Sequence, residues 1–531
     1  MKKIIYLLLV SFYITGCSNN TEALQIPLTS SSEEAKGLFI NKILTSNSDN
    51  QLFGPSLIDE MNKIVELDPD FYLAKAINAR YLQSFSLGPN EVSKIITEAY
   101  ENKESVSEIE NAIISSIYQE YVLGNLVKGD GLLQEIVNKY PTYYYLWIYH
   151  GNYQNTILLN PKKSEESWKK SLEINPFSAK AKTLLAQLHF VTGQINILSN
   201  NERDEDLAIS LIEDAEKMDS ENNVYSRLLG NIYRARGEYD VSLNSYNRAI
   251  SLIKDKENDP AGMGGLLLIS GHNYLFKKEY EKARELYRAS NELNKDLFLQ
   301  YILTYRWLAH TYIYEKKYSE AIREINDLEK RIINEMDLDK LSLNFYLGQL
   351  DFERFLSFGH SQMKEDANES IINFSAHLDK QKSLRVNDDT AEDEVRRISL
   401  DIDIQKEFHK IWYLILFGEF EEAAQELKSF SLLSSEYLVY DSKAMINFYK
   451  LSGYLNLMSG NIDASISFYD QIPREILDSD NYQLYFYALA LSTKGDKEKS
   501  QNIFNYLANY NFAGWENSII RPLAQAQLNK V

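Results

Sequence analysis

The chain has 531 residues with 56 Lys and Arg against 76 Asp and Glu, a formal net charge of −20. A single hydrophobic core stops growing at about 250–300 residues, so this length needs several domains or an extended array. Only 10 prolines and 22 glycines stand beside 37 tyrosines and 23 phenylalanines. That is bulk for packing without the punctuation of strand-rich folds, and it predicts an all-helical chain. An acidic surface repels phosphate backbones, which argues against nucleic acid as a partner.

The chain begins with Lys2 and Lys3, an apolar run from Ile4 to Ile14, and Thr15-Gly16-Cys17. The run is shorter than the roughly 20 apolar residues that span a bilayer, so it reads as a cleavable signal. Ile14-Thr15-Gly16-Cys17 resembles the lipobox of bacterial lipoproteins. The resemblance implies removal of residues 1–16 and attachment of lipid, palmitate among it, to Cys17. Each buried CH₂ contributes about 0.8 kcal/mol to such an anchor, and several chains hold stably. With Ser18 after the cysteine, it implies a cell-envelope protein anchored in the outer membrane. Cys17 is the only cysteine. No thiol is therefore left for a disulfide, a zinc-thiolate site or a nucleophile. Residues 17–32, rich in Ser, Asn and Thr, read as a flexible tether.

Residues 33–222 show weak helical register, but Leu67-Asp68-Pro69-Asp70, Lys139-Tyr140-Pro141 and Ile174-Asn175-Pro176 place helix ends, since proline stops one helix and opens the next. An earlier unit runs through Leu185, Ala186 and Gly193 and resumes at Ala208, Ile212 and Ala215, with a polar insertion between Gln194 and Asp206. Residues 223–335 are the most regular. Leu229, Gly230, Tyr233, Tyr239, Tyr246 and Ala249 recur in register as Gly271, Tyr274, Tyr280, Ala283 and Tyr287. Tyr305, Leu308, Ala309 and Tyr312 follow, with Ala321 and Ile325. Small residues at Gly230, Gly271, Ala309, Ala283 and Ala321 suit close helix crossings, aromatics fill the gaps between successive pairs, and Gly237 supplies a left-handed turn.

This pattern resembles the tetratricopeptide repeat, whose unit is about 34 residues. The resemblance implies an all-α solenoid of antiparallel helix pairs wound into a right-handed superhelix. The stretches Leu28–Ala35 and Asp68–Phe71 resemble the opening of tetratricopeptide lipoproteins of Bacteroidetes, a likeness that brings no activity with it. Residues 258–265, rich in glycine, lack the lysine and strand of a phosphate loop and read as an inter-repeat turn capped by Asp259 and Pro260. Residues 336–403 read as an irregular helical insertion. One amphipathic helix is marked there by Ala367, Ile371, Phe374 and Leu378, and the acidic run Asn387–Glu394 reads as a solvated loop. Repeats resume over 404–531. Ile404, Gly418, Phe420 and Ala423 mark one, Ile446, Gly453, Gly460 and Tyr469 the next, and Asn481 to Gly514 the last.

No catalytic motif is present, and the seven histidines, at 150, 189, 272, 310, 360, 377 and 409, form no metal pair at helical spacing. The reading is therefore a non-enzyme without cofactor or metal. Tetratricopeptide arrays line a concave groove with their first helices. The family geometry places Arg227, Asn231, Arg234, His272, Arg306, His310, Phe408, Trp412, Lys450 and Tyr454 there. Arg227 and Asn231 resemble half of a carboxylate clamp, whose remaining positions fall on Ile269, Leu303 and Trp307 and break the match. The expected role is a membrane-anchored interaction or scaffold module holding a protein or peptide in the groove, with the arginines exposed and dispensable for folding. The alternative is a glycan-binding lipoprotein of an outer-membrane polysaccharide-uptake system.

Overall fold

The computed structural model describes residues 26–45, 55–82, 89–190, 197–199, 201–253, 260–295, 298–388 and 390–529. The signal segment, Cys17, Gly193 and Asp259 lie outside them. Regular structure among the described residues is helical throughout, without a strand. Eleven helix hairpins follow one another, from Tyr72–Leu82 with Pro89–Glu101 to Asn481–Lys494 with Lys497–Ala508. Ahead of them stand Glu33–Phe39, extended by a π-helical turn Ile40–Leu44, and Pro55–Leu67. A short helix, Arg474–Ser479, precedes the last hairpin, and Trp515–Leu528 ends the chain's described part. The molecule is an α-solenoid of the tetratricopeptide type.

The hairpin turns share one backbone device. Gly237, Gly418, Gly460 and Gly495 have positive φ, and Lys278, Lys316 and Gln362 occupy the same left-handed position with φ of 63°, 60° and 63°. A left-handed residue frees the chain from the first helix and aims it back along the second. Within hairpins, small residues of the first helix receive a large ring from the second. A β-carbon on Gly271 would lie 2.5 Å from the Tyr287 ring, and Gly230 against Tyr246 and Gly453 against Tyr469 repeat the arrangement. The rings thus sit inside hairpins as well as between them, a closer crossing than expected from the sequence.

First and second helices form inner and outer layers. Tyr144–Thr156 buries ten of its thirteen residues, whereas its partner Pro161–Ile174 buries five of fourteen. Tyr144–Thr156 is buried around most of its circumference, so it must be covered on both faces. Part of the cover comes from winding. Lys443 Nζ donates to the Leu158 carbonyl at 2.7 Å, 285 residues away. Arg234 Nε donates to the Asn511 carbonyl at 3.2 Å across 277 residues, and Tyr239 Oη to Asn511 Oδ1 at 2.9 Å across 272. The near-constant offset means that the coil closes one turn within that length and stacks the next turn on it.

Four expectations need correction. Residues 336–403 are no irregular insertion. Lys340–His360 and Lys364–Arg385 form a full hairpin, and Glu392–Leu416 is one continuous helix through the expected boundary at 404. The acidic run does not end in a loop, because Glu392, Asp393 and Glu394 form that helix's first turn, where carboxylates favour the positive end of the dipole. The glycines after Pro260 belong to helix Pro260–Phe276, not to a turn, and Ser290 Oγ reaches the Gly264 carbonyl at 2.7 Å across a close crossing. Finally, residues 26–32 are no free tether, and Ile26 is buried. Thr29 N and Oγ1 donate to the fully buried Glu110 at 2.9 and 2.6 Å, and Ser31 N donates to Asp68 at 2.6 Å.

The concave channel as candidate functional site

The ten groove residues occupy first helices, as expected, but they do not form one open strip. Arg234, His272, His310, Trp412 and Tyr454 are 2–4% exposed. Their exposure is corrected by the tight winding and by what fills the channel. Arg234 donates to Tyr246 Oη at 2.9 Å as well as to Asn511, so it is a structural residue of the coil. His272 meets Tyr287 Oη through Nδ1 at 2.7 Å, and Trp412 Nε1 donates to Tyr482 Oη at 3.1 Å. Asn231 Oδ1 accepts from Tyr246 Oη at 2.7 Å, which closes the clamp position. Burial pushes the Arg227 guanidinium down to about 10. Phe408, Arg306 and Lys450 are partly covered.

Two clusters emerge. In the first, Arg306 Nε donates to Glu353 at 2.7 Å and His310 Nε2 meets Glu353 at 2.9 Å. Glu353 is 1% exposed. Burial pulls its pKa upward, but Arg306 and His310 outweigh that and hold it at about 2. In the second, Trp412 lies among Phe408, Phe352, Tyr482 and Trp515, with ring centroids 4.9–6.0 Å apart. Lys450 pairs with Asp480 at 2.8 Å nearby.

The material in the channel is the chain's own C-terminal helix, Trp515–Leu528. Trp515 contacts Phe352, Trp412 and Tyr482, which belong to three different first helices. Arg521 lies over the Phe276 ring at 4.6 Å and donates to Asn511 Oδ1 at 2.8 Å. Asn511 Nδ2 donates in turn to the Ala235 carbonyl at 3.2 Å. A helix that touches inner-layer residues from Phe276 to Tyr482 occupies the concave side of the coil.

Sequence reasoning missed Glu353, Asp480, Asn511, Trp515, Glu516 and Arg521. Extending the first-helix register through 340–360 would have marked Glu353 as an acid inside an apolar helix. Nothing local marks Asn511, whose partners lie one superhelical turn away. No group of acidic, histidine or cysteine side chains among the described residues suits a metal ion. No described helix is long and apolar enough to cross a membrane.

No protein-family model and no curated protein matches the chain. Among solved structures it resembles the human IFIT1 dimer with PPP-AAAA at 12% identity, covering 84% of this chain and 95% of that one with a TM-score of 0.36. The human IFIT1 dimer with m7Gppp-AAAA gives 13% identity, 85% and 96% coverage and a TM-score of 0.36. The P58(IPK) TPR domain gives 10% identity, 73% and 98% coverage and a TM-score of 0.22. The fold assignment rests on the helix hairpins described above.

Proposed function

We propose that this chain is a non-catalytic scaffold of a bacterial cell envelope, anchored through lipid on Cys17, whose concave channel binds a helical segment of a protein partner. One observation supports the binding reading: the inner surface already accommodates a helix, with an aromatic cluster seating Trp515 and a polar rim at Lys450 and Asp480. Buried aromatic anchors beside charged rims are the residue types that dominate binding energy. The glycan reading gains no such support. Sugar recognition needs a ring face open to solvent, whereas Trp168 and Trp412 are inside the core and Trp147, Trp307 and Trp515 are partly covered.

Two measurements test the proposal. Cys17→Ser is expected to abolish labelling by radioactive fatty acid and to release the chain from membranes, and continued labelling overturns the anchor. A photo-reactive residue at Asn231 or Lys450, irradiated in intact envelopes, is expected to cross-link one protein. Cross-links formed only from second-helix positions such as Glu320 move the binding surface to the outer layer.

A further inference from the structure

We infer that helix Trp515–Leu528 is a releasable occupant of the channel, clasped by Asn511 and anchored by Trp515, and that a partner helix with an aromatic residue in its first turn displaces it. The inference rests on the proposed binding role and adds its regulation.

The seat of this helix is geometrically specific but electrostatically incomplete. Asn511 engages four groups: its carbonyl takes Arg234 Nε, its Oδ1 takes Tyr239 Oη and Arg521 Nη2, and its Nδ2 reaches the Ala235 carbonyl. Asn517 adds a bond from Asn481 Nδ2 at 2.9 Å. Glu516, one residue after the anchor, has no such completion. The groups that face it are the carboxylates of Asp480 and Glu353, the cation of Lys450 and the phenol of Tyr510. Lys450 is already paired with Asp480, and Glu353 with Arg306 and His310. An ionised Glu516 would add a third carboxylate to a partly covered site whose cations are already paired.

The helix itself is also weakly built for a permanent plug. Pro522 lies inside it and removes one backbone hydrogen bond. Asn517, Ser518 and Arg521 are buried on it beside Ile519 and Ile520, so its seat depends on polar pairing rather than on apolar area alone. The six residues Asn509–Gly514 that join it to the preceding helix contain no helical turn and can act as a hinge. Proton uptake is the natural lock. Burial, and then Asp480, push the Glu516 carboxyl up to about 8, with Lys450 opposing. The native seat therefore holds a proton that the released helix gives up between about pH 4.5 and 8, so the seat weakens as pH rises through that window.

The test uses the full chain and hydrogen exchange read by mass spectrometry, corrected for intrinsic rates. Residues 515–528 are expected to exchange at least about tenfold faster at pH 9 than at pH 6, while helix Tyr239–Leu252 is unchanged. Glu516→Gln is expected to abolish that difference. A synthetic peptide of residues 509–529 is expected to bind the Trp515→Ala chain and to bind the wild type at least tenfold more weakly, with Asn511→Ala as a second acceptor if Trp515→Ala fails to fold. Equal protection at both pH values, or the same pH response in Glu516→Gln, overturns the release. Absence of peptide binding to both acceptors overturns the displaceable channel. Exchange needs no partner, so its failure is separable from a failure of cross-linking, which alone tests the binding role.

Discussion

The two ends of the described chain dock on the coil by different electrostatics. The N-terminal segment around residues 26–32 is fastened by two carboxylates whose partners are complete. Glu110 accepts Thr29 N, Thr29 Oγ1 and Ser107 N, and Asp68 accepts Ser30 Oγ, Ser31 N and Asp70 N. Burial pulls the Asp68 carboxyl up, yet the hydrogen bonds hold it below its usual range. The C-terminal segment is fastened by a neutral amide, Asn511, and an indole, and it brings Glu516 toward two other acids. A buried acid with all its donors locks a segment in place, whereas a partly covered acid short of cations leaves the segment conditional. The first end is built as a cap and the second as a gate.

Breaking the channel's complete ion cluster should have the largest effect. Glu353→Gln leaves Arg306 and His310 covered without a counter-charge and is expected to cost about 3–5 kcal/mol in chemical denaturation. The pH dependence has a definite sign. Glu353 is depressed from 4.5 to about 2, so its stabilisation is present above pH 4.5 and is lost as pH falls toward 2. Thermal scans across that window should show the loss in the wild type and not in Glu353→Gln. This slope is opposite to that of Glu516 on the neighbouring element.

Next in size, Glu110→Ala removes the acceptor for three donors and is expected to cost about 3 kcal/mol while freeing residues 26–32 to proteolysis. Asn511→Ala should cost about 1–2 kcal/mol, read as local exchange of residues 509–529 with little change in the main thermal transition. Equal global losses from these two changes would erase the distinction between cap and gate. The smallest effects belong to the hairpin turns, which both ends share. Lys316→Gly and Lys278→Gly should each add up to about 1 kcal/mol, because glycine takes the left-handed turn without a β-carbon penalty. Gly418→Ala should lose about as much, measured by the same denaturation midpoints.

Much of the solenoid was legible because repeats write local rules into the chain. Gly230 and Tyr246, Gly271 and Tyr287, and Ala309 and Ile325 each stand on the two helices of one hairpin at the same spacing, and that small-to-large spacing repeats along the chain. The prolines at 69, 141 and 176 stood just after helix ends at Leu67, Lys139 and Ile174. The hairpin over 340–385 escaped because its helices run to 21 and 22 residues, against 13 and 14 in the hairpin of Gly230 and Tyr246, and so fall out of the repeat register. Its acidic successor looked like a loop because helix-dipole compensation and solvation both select carboxylates.

The sequence by itself determined the all-helical class, the hairpin spacing and the placement of the groove residues on first helices, since each depends on neighbours within about 40 residues. Only the tertiary structure decided that the groove is occupied. Arg234 reads as a free cation until Asn511 arrives from 277 residues on, and Trp412 reads as an exposed anchor until Tyr482 and Trp515 cover it. Those pairings are set by the pitch of the superhelix, which sums small rotations at every hairpin interface. No local pattern encodes that sum.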